Sequence, residues 1–378
     1  MTASGTTEEA PEDVLVTTEG AHYRAVALAA GRPTDVLTAP VETRGAVGSI
    51  YVGRVVRHMP GLKAAFVEIG LDRPAFLNLD KTTPPAGKPA LVQIVESAEG
   101  DKAPRLSRRI ALMGRYLILL PYERGVVVSR RLDQKIQANL GGYIRKLVHE
   151  GAVIVRAAAA RADGDTLAGE CVALQALWTE IAARTEATPP ACVHVEHPLR
   201  RLLRELGRGP KTCFIFDDAE AARIAREVAP TLGPDLAARI ETAPAGTGVL
   251  DRDGIAEALA GVEAREVPLA TGGRLTIERT AALTAIDVDT GPGSADPRAV
   301  VETNLEAARE TARQLRLRDI GGLVVIDFIR MPGRTDRNRV LATLQRAVDS
   351  DPRRVQVLGW TAAGLVELIR SRADAGAE

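Results

Sequence analysis

Short apolar runs and one helical stripe stand out in the hydrophobic pattern between residues 283 and 329. Leu283 to Val288 and Leu323 to Ile329 are each short enough for a buried strand, and Gly321-Gly322 ends the segment between them. A strand–helix–strand unit of this length favours parallel strands joined by a right-handed crossover. Within the segment, apolar residues recur at helical spacing and predict one buried helix face: Val301, Leu305, Ala308, Ala312 and Leu315.

Aspartates interrupt both apolar runs near their C-terminal ends. Asp287 lies in the first run and Asp327 in the second, and a lone carboxylate there is costly unless it is paired, hydrogen-bonded or metal-bound. Parallel strands bring both to one sheet edge, where α/β folds place their sites, and Asp289 points the same way as Asp287. The pattern predicts three converging carboxylates, which suit Mg²⁺ or Mn²⁺. The alternative is that these acids cap turns or pair with Arg318 or Arg330.

Residues 46–110 form short alternating runs separated by glycines, which is typical of a small all-β unit. In AFVEIG and AFLNLD the aliphatic residues share one face, so Phe66 and Phe76 fall on the opposite, polar face. The chain has only 5 phenylalanines, and two outward-facing rings indicate a surface on which bases stack. The alternative is a second small core under a neighbouring domain.

The remaining pattern predicts further elements. Thr212 to Phe216 is a predicted strand, Ala219 to Val228 a helix, and Thr271-Gly272-Gly273 the turn of a hairpin. Asp336 is a predicted helix cap, and Ala363 to Arg372 a predicted final helix. In residues 107–185, strand-like runs precede a helix whose apolar stripe is Leu167, Cys171, Leu174, Trp178 and Ile181.

Composition and charge narrow the classes of protein. The 378 residues suffice for more than one domain, and 49 basic residues balance 49 acidic ones. A nucleic-acid surface must therefore be a local patch, and the basic stretch from Lys102 to Lys146 is the candidate, although such stretches are often solvated faces. The 3 cysteines lack a CxxC pair, which argues against a disulfide framework and a structural zinc site. With no run of about 18 apolar residues and no signal peptide pattern, a cytoplasmic protein without membrane contact is expected.

Three segments resemble the catalytic core of the ribonuclease E/G family: GGRLTIERTAALTAIDVDTG, TNLEAARETARQLRLRDIGGLVVIDFI and GLVELIRSR. The resemblance implies that Asp287 and Asp327 hold a catalytic Mg²⁺. The family usually has asparagine at the position of Asp289, so the aspartate here adds a negative charge. We expect Asp289 to act as a ligand or to position water.

The family's RNA-binding parts also have counterparts. GSIYVGRVVRHMPGLKAAFVEIGLDRPAFLNLD resembles the S1-motif, OB-type barrel of the family, and Lys102 matches a lysine at its RNA surface. The family's 5′-sensing pocket grips a 5′-monophosphate with an Arg-Thr pair. The matching residues are Arg156 and Ala157, so the arginine is present and the hydroxyl donor is absent.

The resemblance implies an α/β fold of several subdomains in a short form, without the family's zinc link and small C-terminal domain. No zinc is expected, and any oligomer would not form through that link. The implied subdomains are a disordered tail (1–12), an RNase H-like subdomain in two parts (13–45 and 192–270), an S1/OB barrel (46–106), a 5′-sensor-like subdomain (107–191) and a DNase I-like catalytic subdomain (271–378).

The expected function is Mg²⁺-dependent endonucleolytic cleavage of single-stranded RNA, in RNA processing or decay. By resemblance, the products carry a 5′-phosphate and a 3′-hydroxyl, and unpaired A/U-rich RNA is preferred. One alternative is a non-catalytic RNA-binding protein on the same scaffold. Another is a carboxylate–metal phosphatase that does not act on RNA, although the basic stretch and the ring-bearing barrel argue against it.

Overall fold

The computed structural model describes residues 12–80, 83–98, 103–209, 211–251, 254–291, 296–349, 351 and 353–371. These residues form a mixed α/β protein with four sheets, one of which closes into a barrel. The described residues divide into two compact units, one within residues 12–15, 25–38 and 247–371 and the other within residues 16–24 and 39–246. No helix in the described ranges is long and apolar enough to cross a membrane.

A six-stranded sheet of order β16-β17-β18-β19-β21-β20 is the centre of the first unit. Its strands are β16 (Glu266–Pro268), β17 (Arg274–Arg279), β18 (Thr284–Asp289), β19 (Gly322–Asp327), β20 (Val355–Trp360) and β21 (Val366–Arg370). The helices of this unit are α5 (Ile255–Glu263), α6 (Pro297–Leu317) and α7 (Arg334–Val348). The predicted parallel pairing of the two aspartate-bearing strands, with a helix between them, is confirmed.

Helices α6 and α7 pack on one face of this sheet. The predicted stripe of α6 is confirmed, since Leu305, Ala308, Ala312 and Leu315 are buried in the same core as Ile286 and Ile326 of the sheet. The opposite face of the sheet carries the alternate residues, which are half-buried or exposed. A sheet covered by helices on one side therefore presents its second side, including the aspartates, to solvent.

The barrel belongs to the second unit, and its predicted all-β character is confirmed. It comprises β4 (Ile50–Met59), β5 (Ala64–Glu68), β6 (Ala75–Asn78), β7 (Pro89–Glu96) and β8 (Arg105–Ser107), and β13 (Ala191–His194) extends it beside β4. Pairing of β4 with β7 closes the ring of five strands. Inward-facing aliphatic residues, among them Val55, Val67 and Leu77, fill the interior.

Between β8 of the barrel and residue 183, the chain forms a four-stranded sheet and two helices. Its strands, in the order β11-β12-β10-β9, are β9 (Leu112–Met113), β10 (Leu117–Leu120), β11 (Gly125–Val128) and β12 (Ala152–Val155). The helices are α1 (Gln134–Leu147) and α2 (Gly164–Ala182). The predicted stripe of α2 is confirmed, with Leu167, Cys171, Leu174 and Ile181 buried and Trp178 packed at the edge of the core.

The fourth sheet has the order β15-β14-β1-β2-β3. Its strands are β1 (Asp13–Glu19), β2 (His22–Ala29), β3 (Arg32–Pro40), β14 (Cys213–Phe216) and β15 (Ile240–Thr242), and nearby helices are α3 (Pro198–Leu206) and α4 (Ala219–Val228). The predicted strand at 212–216 and helix at 219–228 are confirmed. Short 3-10 turns connect elements at Pro60–Leu62, Ala157–Arg161, Ala229–Leu232 and Ala237–Arg239.

Two predicted elements near the C-terminus are wrong. The segment expected to form a final helix is strand β21, which pairs with β19 and β20; Gly364 adopts a φ of 92° in the turn before it. The predicted cap Asp336 lies inside the first turn of α7, which begins after Gly333, and it pairs with Arg339. In β21, Val366, Leu368 and Arg370 alternate inward, so strand periodicity prevails over helix propensity.

Candidate functional site

Two carboxylates lie side by side where the parallel strands β18 and β19 end. Asp327 is the last residue of β19, and the strand register pairs it directly with Asp287 of β18. The residues preceding them point into the core, so alternation turns both aspartates to the opposite, exposed face. Since neighbouring strands lie about 4.8 Å apart, both carboxylates are within reach of one cation.

The cost of burying a carboxylate, from which the sequence predicted a ligand, does not apply to Asp287 and Asp327. Because both are exposed, burial does not force them to find a partner. Within the described ranges, however, neither accepts a hydrogen bond or an ion pair. The proposed alternative partner Arg318 donates instead to Gln314 and to the carbonyl oxygen of Ala264. Among the described residues, no cation therefore neutralises the charge of this pair.

Asp289 differs from the two strand-end aspartates because it has protein partners. Its Oδ2 pairs with Nη2 of Arg274, its register partner on β17, at 3.0 Å, and its Oδ1 accepts a 2.8 Å hydrogen bond from the Gly291 amide. No three His, Cys, Asp or Glu side chains in the described part of the chain are grouped to hold a metal ion. The predicted convergence of three carboxylates is therefore not observed, since Arg274 engages the third.

The segment that follows Asp327 is fixed by a residue that the sequence analysis missed. Asn304 of α6 donates from Nδ2 to the Ile329 carbonyl (2.8 Å) and accepts from the Ile329 amide (3.1 Å). Asn304 is fully buried. Its position between Val301 and Ala308 in the apolar stripe was the available signal, because a polar residue there must find a buried partner.

A second side chain of α6 holds the turn between β16 and β17. Glu306 accepts hydrogen bonds from the amides of Ala270 (2.6 Å) and Thr271 (2.9 Å). Although burial opposes its ionisation, these two amides hold the pKa of Glu306 below its ordinary value. Helix α6 therefore positions both the turn before β17 and the segment after β19.

Close backbone approach at the end of β18 requires glycine. A Cβ on Gly273 would lie 2.4 Å from the Asp289 carbonyl oxygen, and one on Gly291 would lie 2.4 Å from the Gly272 carbonyl oxygen. Gly291 also has a φ of 72°, which favours glycine. The predicted hairpin turn at 271–273 is confirmed, and its glycines let it pack against the strand that carries Asp287.

On the barrel, the two predicted outward-facing rings form part of a row across four strands. Phe66 and Phe76 are register partners and half-buried, with ring centres 6.3 Å apart and planes at 85°. The row continues to Arg57, whose guanidinium carbon lies 5.3 Å from the Phe66 ring centre, and on the other side to Arg105, which pairs with Glu96. Cations therefore flank two rings on the outer surface of the barrel.

Sequence reasoning could not identify Arg57 as a neighbour of Phe66. The strand pairing shifts between Val55 and Arg57, where an extra residue interrupts the alternation of β4. Counting by twos from the buried Val55 would place Arg57 inside the barrel, whereas it is exposed. The bulge turns Arg57 to the outer face, and its presence depends on pairing with β5.

Several cations in the predicted basic stretch are neutralised within the protein. Arg115 is fully buried and pairs with Asp235 at 2.7 Å, and Arg109 pairs with Glu123 at 2.6 Å. The linear sequence therefore overstates the positive charge available to a ligand. Lys102, expected at the RNA surface, lies outside the described residues.

Arg156, expected in the 5′-sensing pocket, also has protein partners. It donates to the Gly114 carbonyl at 2.8 Å and pairs with Glu205 at 3.4 Å, and its side chain is only 15% exposed. Burial opposes ionisation of Glu205, but three neighbouring arginines outweigh it and hold its pKa well below the ordinary value. A 5′-phosphate would therefore compete with an ionised carboxylate for Arg156.

Comparison with known proteins identifies the family. The sequence pattern of the Ribonuclease E/G family matches residues 111–373. The chain belongs to the ribonuclease E/G family. Ribonuclease G of Escherichia coli (strain K12) is 32% identical over 371 residues, which cover 87% of this chain and 73% of that protein. Ribonuclease G of Haemophilus influenzae is 31% identical over 366 residues, with the same coverage. Ribonuclease E of Nostoc sp. is 32% identical over 352 residues, covering 86% of this chain and 51% of that protein.

The residues that match the Ribonuclease E/G family include the strand-end aspartates but not the two rings of the barrel. Asp287 and Asp327 lie inside the matched residues, as does Arg156. Phe66 and Phe76 precede residue 111, where the match begins. The assignment of the barrel to RNA therefore depends on its own geometry and on the longer alignments with the relatives.

Proposed function

We propose that this member of the ribonuclease E/G family is a Mg²⁺-dependent endoribonuclease that cleaves single-stranded RNA by phosphodiester hydrolysis, in RNA processing or decay. The observation that carries the proposal is the register pairing of Asp287 with Asp327 on an open sheet face. Family membership supports an endonuclease acting on RNA, because relatives over most of the chain are ribonucleases G and E.

The paired aspartates suit Mg²⁺ in number and chemistry. This ion keeps several waters and commonly binds through one or two carboxylates together with substrate phosphate, so it does not require a full protein cage. Asp287 and Asp327 would hold it. When bound, Mg²⁺ makes a water nucleophilic and stabilises transition-state charge. Asp289, held by Arg274 and Gly291, would fix the strand end and orient water beside the pair.

The barrel would hold the single strand. Phe66 and Phe76 offer ring surfaces to bases, and Lys102, together with Arg57, would contact phosphates. Because the rings lie in one row across adjacent strands, they suit successive unpaired bases better than a base-paired helix, whose bases are already stacked. Unpaired RNA is therefore the proposed substrate.

We propose the other subdomains from membership in the family. Residues 107–191 would form the 5′-sensor-like subdomain, and 13–45 with 192–270 the RNase H-like subdomain. Residues 271–378 would form the DNase I-like catalytic subdomain. In the sensor, Arg156 would bind a 5′-phosphate only weakly, since Ala157 offers no hydroxyl and Glu205 already engages the guanidinium.

The test is incubation of the purified chain with an end-labelled single-stranded RNA, with Mg²⁺ or with EDTA. The expected result is internal cleavage with Mg²⁺ alone, giving 5′-phosphate and 3′-hydroxyl ends. Tight RNA binding without cleavage in any divalent metal would favour the non-catalytic RNA-binding alternative. Hydrolysis of a small phosphomonoester without action on RNA would favour a phosphatase.

A further inference from the structure

The segment that follows Asp327 carries positive charge that no described carboxylate neutralises. Arg330, Arg334 and Arg337 occur within eight residues, and none forms an ion pair with a described carboxylate. Arg339, further along α7, does pair with Asp336, at 3.5 Å. The first turn of a helix is an unfavourable place for cations, because the helix dipole is positive there. Arg334 and Arg337, near the start of α7, therefore do not stabilise it through the helix dipole, and Arg330 precedes the helix.

Arg337 is held in place by a ring rather than by a carboxylate. Its guanidinium carbon lies 4.3 Å from the ring centre of Trp360. The Trp360 ring packs against Phe328, with ring centres 5.9 Å apart, and Phe328 directly follows Asp327 in the chain. Trp360 is in register with Val366, and Val366 with Ile326, so Arg337 lies at the same end of the sheet as Asp327, although Phe328 faces the helix-covered side and Asp327 the open side.

Its position over the ring leaves Arg337 able to bind an anion. A guanidinium held by a ring face forms no hydrogen bond to that ring through its donor fork, and the fork matches phosphate oxygens. The indole N–H of Trp360 is buried and has no acceptor among the described residues. A buried indole usually has a hydrogen-bond partner. Here packing against the core holds the Trp360 ring instead, and the ring face supports the arginine.

The electrostatics of the catalytic face favour such an element. Asp287 and Asp327 repel the phosphates of an approaching RNA strand, and a chain with no net charge supplies no general attraction. We propose that Arg337, held on Trp360, acts with Arg330 and Arg334 as a phosphodiester-binding element that holds the RNA backbone at the sheet edge where the strands of the aspartate pair end. This inference rests on the proposed function and adds a second backbone contact region to the one on the barrel.

The first test measures RNA binding without cleavage. A fluorescently labelled single-stranded RNA is titrated in EDTA at several salt concentrations with wild type, Arg337→Ala and Arg339→Ala. In Arg337→Ala the slope of log affinity against log salt should fall in magnitude by about 0.7, the single-strand value for one phosphate contact. Arg339→Ala is the matched control because its partner Asp336 already neutralises it. Its slope should equal that of wild type.

The second test locates the contact. The chain has 2 tryptophans, so Trp178→Phe leaves Trp360 as the sole indole fluorophore. Saturating RNA should change the Trp360 emission, and adding Arg337→Ala should abolish most of that change. With Mg²⁺, Arg337→Ala should raise KM more than it lowers kcat.

The outcomes separate this inference from the proposed function. If wild type binds and cleaves RNA, but Arg337→Ala has the wild-type salt slope and RNA leaves Trp360 emission unchanged, the phosphodiester-binding element is wrong and the proposed function stands. If wild type neither binds nor cleaves RNA, both are wrong. Circular dichroism and thermal unfolding establish that each variant is folded, which is expected because Arg337 is only half-buried and lies in the first turns of α7.

Discussion

Two carboxylate sites, one in each compact unit, differ in whether arginines match their charge. In the second unit, Glu196 is buried and accepts hydrogen bonds from Arg200 at 2.9 Å and Arg204 at 3.1 Å. Burial opposes its ionisation, but the charges of these arginines outweigh burial and hold its pKa far below the ordinary value. In the first unit, Asp287 and Asp327 are exposed, and no described cation pairs with them. Carboxylates matched by arginine stabilise the fold, whereas carboxylates left unmatched are available to a ligand.

The largest expected effect is on stability, at the matched site. Glu196→Gln leaves Arg200 buried without its counter-charge and removes one of the two carboxylates that Arg204 contacts, so it should lower the free energy of unfolding by about 3–5 kcal/mol. Urea denaturation measures this loss. A change within the error of the measurement would show that Glu196 is not the centre of the cluster.

The same site predicts a pH dependence. A carboxyl with a depressed pKa in the folded state stabilises fully above its unfolded pKa, ordinarily 4.5, and this contribution is lost as pH falls toward the folded pKa. Wild type should therefore lose stability below about pH 4.5 more steeply than Glu196→Gln. Parallel pH profiles for the two proteins would contradict the assignment.

At the unmatched pair the effect should be on chemistry and not on stability. Asp287→Asn or Asp327→Asn should lower kcat at least a hundredfold, which corresponds to about 2.7 kcal/mol of barrier at 1.36 kcal/mol per tenfold. RNA affinity in EDTA should be unchanged or higher, since a negative charge is removed. Asp289→Asn should lower kcat less than either of these variants, because an amide oxygen can still accept from Gly291 and hold the strand end. Near wild-type cleavage by Asp327→Asn would overturn the assignment.

On the barrel, Phe66→Ala and Phe76→Ala should each weaken single-strand binding by about 1–3 kcal/mol, the range for one stacked base. Arg57→Ala should also weaken it. Arg54→Ala is the control, since Arg54 lies on the same strand but donates to the Pro189 carbonyl. Unchanged affinity together with a lower melting temperature would mean that the rings are core residues.

The smallest expected effect is at the 5′ end of the RNA. Because Arg156 is engaged by Glu205 and Ala157 lacks a hydroxyl, cleavage of 5′-monophosphate and 5′-hydroxyl forms of one RNA should differ little in rate. Ala157→Thr restores a donor that is typically worth about 1.5–3 kcal/mol to a charged group, and it should increase the preference for the monophosphate. A strong preference in wild type that Arg156→Ala abolishes would show that the pocket binds phosphate despite Glu205.

The sequence predicted the parts of the site that depend on local periodicity. The paired aspartates follow from two short apolar runs separated by a helical stripe, and the outward rings follow from alternation within β5 and β6. Both patterns are set by neighbours within a few residues. The prediction of two carboxylates on adjacent strand ends therefore needed no tertiary information.

The features that the sequence did not predict depend on contacts between distant segments. Pairing with β19 and β20 makes residues 366–370 a strand rather than a helix. Arg370 faces inward because it pairs with Asp351 and donates to the Ile320 carbonyl. The third carboxylate was assigned to the cluster because nothing local shows that Arg274 lies opposite Asp289. In the predicted basic stretch, carboxylates from distant segments likewise neutralise arginines such as Arg109 and Arg115. Long-range pairing of charges is the information that one sequence does not carry.

The most direct measurement of the central claim is binding of a divalent cation in the absence of RNA. Mn²⁺ is titrated into wild type, Asp289→Asn and the double variant Asp287→Asn, Asp327→Asn, and free Mn²⁺ is followed by electron paramagnetic resonance. We expect wild type and Asp289→Asn to bind Mn²⁺ at a site from which Mg²⁺ displaces it, and we expect the double variant to lack this site. Equal Mn²⁺ binding by the double variant and wild type would contradict the claim that the unmatched aspartate pair holds the cation.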